Sequence, residues 1–293
     1  MLLEREDMQV DLDLAKLNSM GFIVGDDESK EQFERRVALC QDSREILNSL
    51  NLKNKVVKYS EFFQKEALVS QFDLDPSWLH ILCSNTKLMP WEAASTWLYP
   101  IEKAFSYPIL QFRQKVASKS QYLGYQFFEI FAHETIHAVR SNIKGDRYEE
   151  TIAFQTSNKW YRQFLGPIFK SPSESILYVI TWLMTILSSA LFTTFESTFF
   201  FFLFITSGLA AISLSLFGLI RLLLCKRKFH KALAMVGKVF PGSSPIQIII
   251  RLNDEEIDEF ACEPLDKVVK YVHKSAIDSL KWRQILASYK VIT

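Results

Sequence analysis

Between Ile176 and Ile220 the chain is almost free of charge, and no other feature limits its fold as strongly. Ile176–Phe192 is an uncharged run of 17 residues, and Phe199–Ile220 is a second of 22. Each is close to the ~20 residues that a helix needs to cross the hydrocarbon of a bilayer. The link between them, TTFEST, has Glu196 as its only charge and has room for a turn but not for a domain. Neither run has a polar face, and such all-round hydrophobicity suits lipid better than a soluble core. The expectation is a transmembrane helical hairpin over 173–225, inserted between an N-terminal part, 1–172, and a C-terminal part, 226–293.

Basic residues flank the hairpin on both sides. Lys159, Arg162 and Lys170 precede it, Arg221, Lys226, Arg227, Lys228 and Lys231 follow it, and the turn has no Lys or Arg. The positive-inside rule therefore places both flanks, and with them both termini, in the cytoplasm. The acidic N-terminus, MLLEREDMQVDLD, does not read as a signal peptide. Cys40, Cys83, Cys225 and Cys262 form no CxxC pair, which excludes a zinc knuckle or a thioredoxin-type motif and fits a reducing compartment. A formal charge of +1 leaves no global electrostatic case for nucleic acid.

Outside the hairpin the chain reads as mainly α with some strand, an α+β pattern. Residues 27–72 have helical spacing, and KVVKYSEFF fits a strand or a helical turn equally well. Trp78–Cys83 reads as a strand. Pro90 reads as opening a helix through WEAASTWLY, and a further helix is expected from about Phe112 to Ser141. PIQIIIRLN reads as a strand. The following stretch, from DEEID to ILASY, returns to helical spacing, with Val268, Val269, Val272, Ile277 and Leu280 as its apolar stripe.

The chemistry concentrates in HETIH, within the helical pattern YQFFEIFAHETIHAVR. Positions i and i+4 share a helix face, so His133 and His137 direct two imidazoles at one ion. Zinc accepts imidazole nitrogen and carboxylate oxygen, and Glu134 stands beside such an ion as a general base. Asn142 to Gly145 ends the helix. Asp146 and Glu149 have capping-box spacing, which gives Glu149 a structural task and leaves Glu150 to face the histidines as third ligand, with Glu149 as the alternative.

These residues resemble the gluzincin branch of the zincin metallopeptidases, with HExxH on one helix and a glutamate on the next. Glu150-Thr151-Ile152-Ala153 matches an arrangement found in several of those families, in which alanine follows the glutamate by three residues. The resemblance covers about residues 133–154. It implies a zincin-like domain with His133, His137 and Glu150 as Zn2+ ligands, Glu134 as general base, and protein or peptide as substrate. It also implies an edge strand that binds extended peptide, assigned to 79–84. The lack of HExxHxxGxxH excludes the metzincin branch, and the distance of HETIH from the first span disfavours intramembrane cleavage. Arg140 is expected to pair with Glu129 or a C-terminal acid, Tyr148 to pack as an aromatic, and His80, His230 and His273 to have no ligand role. The sequence thus describes a membrane-anchored zinc metallopeptidase. A hairpin with cytosolic flanks also resembles the inclusion-membrane proteins of intracellular bacteria, so the alternative is a partner-recruiting scaffold with a structural or relic metal site.

Overall fold

The computed structural model describes residues 13–52, 55–58, 66–89, 92–102, 105–118, 121–122 and 124–292, and most of them are helical. The first helix with defined ends, α1 (Lys30–Gln41), begins at a reciprocal cap. Ser29 N–H donates to Gln32 Oε1 at 2.9 Å and Gln32 N–H to Ser29 Oγ at 3.3 Å. Helix α2 (Arg44–Ser49), strand β1 (Val56–Lys58) and helix α3 (Glu66–Phe72) follow. In KVVKYSEFF the described part is strand, and 59–63 lie outside the described residues.

Strands β2 (His80–Cys83), β3 (Ala94–Glu102) and β4 (Phe105–Phe112) join β1 in a sheet of order β1-β2-β4-β3. Two expectations are corrected here. The strand around 79–84 is not an edge: β2 pairs antiparallel with β1 and parallel with β4. The expected helix through WEAASTWLY is instead the edge strand β3 over its described part, while Pro90 and Trp91 lie outside the described residues. Thr96, Trp97, Tyr99 and Ile101 are β-branched or aromatic, and pairing with the buried β4 overrides the helix-start signal. Pro100 is tolerated because β3 lies at an edge.

The single helix expected from Phe112 to Ser141 is broken into α4 (Gln114–Ser118), a hairpin of β5 (Gln121–Tyr122) and β6 (Tyr125–Gln126), and α5 (Phe127–Arg140). The break falls at Gly124, whose φ of +80° belongs to a turn that glycine adopts without strain. Helix α5 buries Ile130, Phe131, Ile136 and Val139. Next come α6 (Glu149–Ala153), a 3-10 turn at Phe154–Thr156, α7 (Trp160–Leu165) and a second 3-10 turn at Gly166–Ile168.

Helices α8 (Pro172–Phe195) and α9 (Thr198–Val239) form the hairpin, turned by Glu196 in the left-handed region at φ 46°. Both are long and apolar enough to cross a membrane. Leu177, Leu183, Ile186, Phe202, Leu209 and Phe217 are exposed on them, part of an apolar surface much larger than a soluble monomer leaves to water. Helix α9 has 42 residues, about 63 Å at 1.5 Å per residue, and continues past the apolar run without a break. Its far end buries Phe229, Ala232, Val236 and Val239.

The C-terminal part is helical: α10 (Pro245–Ile249), α11 (Asp254–Cys262), α12 (Leu265–Asp278) and α13 (Leu280–Ser288). The strand expected for PIQIIIRLN is corrected to α10. Pro245 at the first helical position, and Gln247 Oε1 accepting the Ser244 N–H at 3.3 Å, set a helix start that the β-branched run does not overcome. One buried core includes Phe22, Ile81, Phe131, Phe229, Ile257 and Trp282, so the stretches before and after the hairpin share it. Polar ties cross the same boundary. Val24 N–H donates to Gln284 Oε1 at 2.9 Å, and Arg251 Nε to Asn18 Oδ1 at 2.6 Å.

Candidate metal centre

Helix α5 presents His133 and His137 on one face, and α6 runs beside it carrying Glu150. The structure brings the three together. His133 Nε2 lies 3.2 Å from His137 Nε2 and 3.5 Å from Glu150 Oε2, and His137 Nε2 lies 3.6 Å from Glu150 Oε1. Their ligand atoms all lie within 4.8 Å of one another. Donor atoms bound to zinc at about 2.0–2.1 Å in a tetrahedron are about 3.3–3.4 Å apart, close to the separation of the two imidazole nitrogens and of each from one of the two Glu150 oxygens. Glu134, one residue round the helix from His133, is outside this group of three.

Behind the three is a second layer. Glu149 Oε1 lies 3.0 Å from His137 Nδ1, and Glu149 Oε2 accepts from Arg140 Nε at 2.7 Å. Arg140 is held in turn by the carbonyls of Ile250 at 2.6 Å and Leu252 at 3.2 Å. A carboxylate at Nδ1 fixes the His137 ring and leaves its Nε2 facing the other two groups. Two expectations change. The capping box is absent, because α6 begins at Tyr148 without a side-chain cap. Asp254 of α11 accepts the N–H groups of Arg147 and Tyr148 there, at 2.8 and 3.2 Å. Arg140 pairs with Glu149 rather than Glu129, whose own partner is Arg162. The Tyr148 ring stacks on Phe229 and its hydroxyl donates to Asp258 at 2.5 Å. His80 Nδ1 is hydrogen-bonded to the Tyr107 hydroxyl at 2.7 Å, and His230 Nδ1 lies 2.7 Å from the Lys226 carbonyl.

Sequence reasoning missed Thr96. Its hydroxyl lies 2.8 Å from Glu134 Oε2 and 3.0 Å from the Glu134 carbonyl, which joins edge strand β3 to the HETIH helix. The β-branched and aromatic content of STWLY was the available signal. Between β3 and α5 is a cleft of ≈ 440 Å³, lined by Ser95, Thr96, Leu98, His133, Glu134 and Glu150 among others. A smaller recess of ≈ 140 Å³ shares His133 and has Tyr122, Tyr125, Ile130 and Phe154 in its wall.

The electrostatics favour a cation. Burial raises the carboxyl pKa of both Glu134 and Glu150. Burial also opposes ionisation of Glu149, but Arg140 and His137 outweigh it and hold that carboxyl at about 2. His133 is pushed down to about 3 by burial and by the neighbouring imidazole. Burial alone would lower His137, yet the Glu149 hydrogen bond and the charges of Glu150 and Glu134 raise it to about 9. His137 therefore holds a proton on a ring that a bound metal ion would need. Binding of a metal ion through this ring at pH 7 would release close to one proton, and at pH 10 none, as calorimetry in buffers of different ionisation enthalpy will read. The raised pKa stabilises the metal-free fold fully below pH 6.5, and that contribution is lost as pH rises through about 9.

Comparison with protein-family models, curated proteins and solved structures finds no match for the chain. The likeness to gluzincins thus rests on residues 133–154.

Proposed function

We propose that the protein is a membrane-anchored, zinc-dependent peptidase, with His133, His137 and Glu150 holding the ion and Glu134 as general base. The observation that carries this reading is the convergence of two imidazole nitrogens and one carboxylate at 3.2 to 3.6 Å, with a second carboxylate beside them that is not in the set. A bound Zn2+ supplies a Lewis acid that polarises the scissile carbonyl and acidifies water.

The chain's own groups do the rest. Burial gives Glu134 a carboxyl more basic than an exposed one, suited to taking a proton near neutral pH. Thr96 holds its Oε2, so Oε1 is the atom that accepts the proton and later delivers it to the departing amine. Strand β3 pairs on one side with β4, and among the described residues no strand pairs with its other edge. An extended peptide added along that edge has its backbone fixed across the cleft, with the recess beside His133 open to an apolar side chain. Arg140 acts through Glu149 to hold the His137 ring. Glu149→Ala is accordingly expected to weaken zinc binding by about 10- to 100-fold, measured by competition with a chromophoric chelator. In this reading the α8–α9 hairpin spans the bilayer, and the basic flanks keep the site on the cytosolic side.

The test is hydrolysis of a peptide library by the full-length chain in detergent. Cleavage is expected to vanish on chelation and return with one equivalent of zinc. Cleavage that survives chelation, or none in the zinc-loaded protein, sinks the proposal.

A further inference from the structure

The hairpin ends in a charged lock. Arg221 Nη1 donates to Glu174 Oε1 at 2.6 Å, Arg221 Nη2 donates to Glu174 Oε2 at 2.7 Å, and Nη2 also lies 2.9 Å from the Ile168 carbonyl. The two apolar runs lie on one side of this pair, and beyond exposed Leu223 and Leu224 the basic residues Lys226–Lys228 begin on the other, so the pair lies within about one turn of the level at which hydrocarbon ends. Two chains of contact lead from that level to the metal cluster. Cys225, one turn beyond Arg221 on α9, has its Sγ 3.6 Å from Thr151 Oγ1 and 3.6 Å from the Arg147 carbonyl, and Thr151 adjoins Glu150. Gly166, two residues before Ile168, packs so closely on Phe154 that any Cβ there would overlap its ring, and that ring lies 4.7 Å from His133. From Arg221 to Cys225 α9 rises about 6 Å at 1.5 Å per residue, and Cys225 meets the residue next to Glu150, so the cluster lies within a few helical turns of the hydrocarbon edge.

Helix α7 lies on the same level, one 3-10 turn from Ile168. It exposes Trp160 at 76%, Tyr161 at 43% and Leu165 at 47%. Trp and Tyr with an apolar face and a polar tip belong at the headgroup boundary, and this face continues the apolar surface of the hairpin. Lys159 just before α7, and Arg227 and Lys231 on α9 beyond the apolar run, are exposed, a charge that suits anionic headgroups.

The geometry points to a substrate class: polypeptides anchored in the same membrane, cut in the extended segment that leaves it, with α7 seated in the headgroups to hold the cleft at that height. This rests on the peptidase reading and on the hairpin spanning the bilayer. An extended chain advances about 3.3–3.6 Å per residue, so a scissile bond a few residues beyond the end of the substrate's own span is the first to reach the cluster. Tethering in the bilayer also replaces a dilute encounter with an effective concentration in the millimolar range, which falls as the tether lengthens.

The experiment uses full-length protein in liposomes of mixed neutral and anionic phospholipid. A peptide sequence cleaved in detergent is presented untethered, or joined to a transmembrane helix through spacers of about 0, 5, 10 and 20 residues. The expected result is at least tenfold faster cleavage at the spacer of about 5 than for the untethered peptide, little at 0, and decline at 20. Equal rates for tethered and free peptide, or rates indifferent to spacer length, overturn the inference and leave the peptidase reading intact. No hydrolysis in any arm overturns both. A readout independent of activity is the difference in fluorescence between the wild-type protein and Trp160→Phe in lipids brominated near the top of the acyl chain. Quenching of the Trp160 component is expected, and a component as unquenched as in water contradicts the seating of α7.

Discussion

Glu134→Gln is expected to keep its zinc and to lose about 10²- to 10⁴-fold in kcat, the usual contribution of a positioned general base. The substitution removes one function only. Glutamine has the shape of glutamate and retains an oxygen for the Thr96 hydroxyl now 2.8 Å from Oε2, so the link between β3 and α5 survives. It takes up no proton at neutral pH. The proposed zinc ligands are untouched, because Glu134 is outside the set of His133, His137 and Glu150. His137→Ala is the contrast. It deletes a ligand and leaves Glu149 and Arg140 without the ring they orient, so zinc and hydrolysis are lost together. Zinc content by mass spectrometry, measured beside kcat on the same preparations, separates the two variants. Full activity in Glu134→Gln rules out the mechanism.

The largest expected effect on stability lies away from the site, at Lys281. Its ammonium is buried at 2% exposure between Asp26 and Glu256, with Glu256 Oε2 at 2.6 Å. Asp26 comes from the loop before α1, Glu256 from α11 and Lys281 from α13, so this triad ties the stretch before the hairpin to the one after it. Lys281→Met fills nearly the same volume and leaves two carboxylates without their cation. Breaking a buried pair in this way costs about 3–5 kcal/mol. For a folded body of this size that is a fall in Tm of about 10 °C, read by scanning fluorimetry in detergent as one transition moving as a whole. Two transitions, one of them unmoved, would contradict a shared core. The pH dependence has a definite sign. Burial opposes the charge on Asp26, but Lys281 outweighs it and holds the carboxyl below its ordinary value of 3.8. The stabilisation is therefore present above pH 3.8 and lost as pH falls through the lowered value, so the deficit of Lys281→Met shrinks in acid.

How much was legible in the sequence depended on how local the signal was. The two apolar runs and HETIH depend on spacing within one segment, and each lies in a helix as read, although α9 runs on to Val239, beyond the expected end of the hairpin at 225. Where tertiary pairing decided, the sequence misled. The STWLY segment had a helix-start signal before it and became an edge strand, because β4 beside it needed a partner. PIQIII has strand composition and became a helix through a proline and a glutamine at its start. Glu149 shows the same limit at the site. Its spacing from Asp146 fits a capping box, but Asp254, more than a hundred residues on, instead holds the backbone just before that helix, and Glu149 bridges His137 and Arg140. Its partner Arg140 is nine residues back, but the carbonyls of Ile250 and Leu252 that aim Arg140 are more than a hundred residues on, where no local pattern reaches. The strand content of STWLY was legible, but the pairing of Thr96 with Glu134, 38 residues away, was not.

A catalytic zinc site and a structural or relic one share affinity for the ion and differ in how many protein groups hold it. Structural sites close with four protein ligands, while catalytic ones use three. X-ray absorption at the zinc edge of the full-length protein counts them directly. The account predicts two imidazole nitrogens and one carboxylate, with no sulfur and no fourth protein ligand, and the same spectrum from Glu134→Gln. A sulfur ligand, a fourth side chain, or a first shell that changes in Glu134→Gln would contradict it.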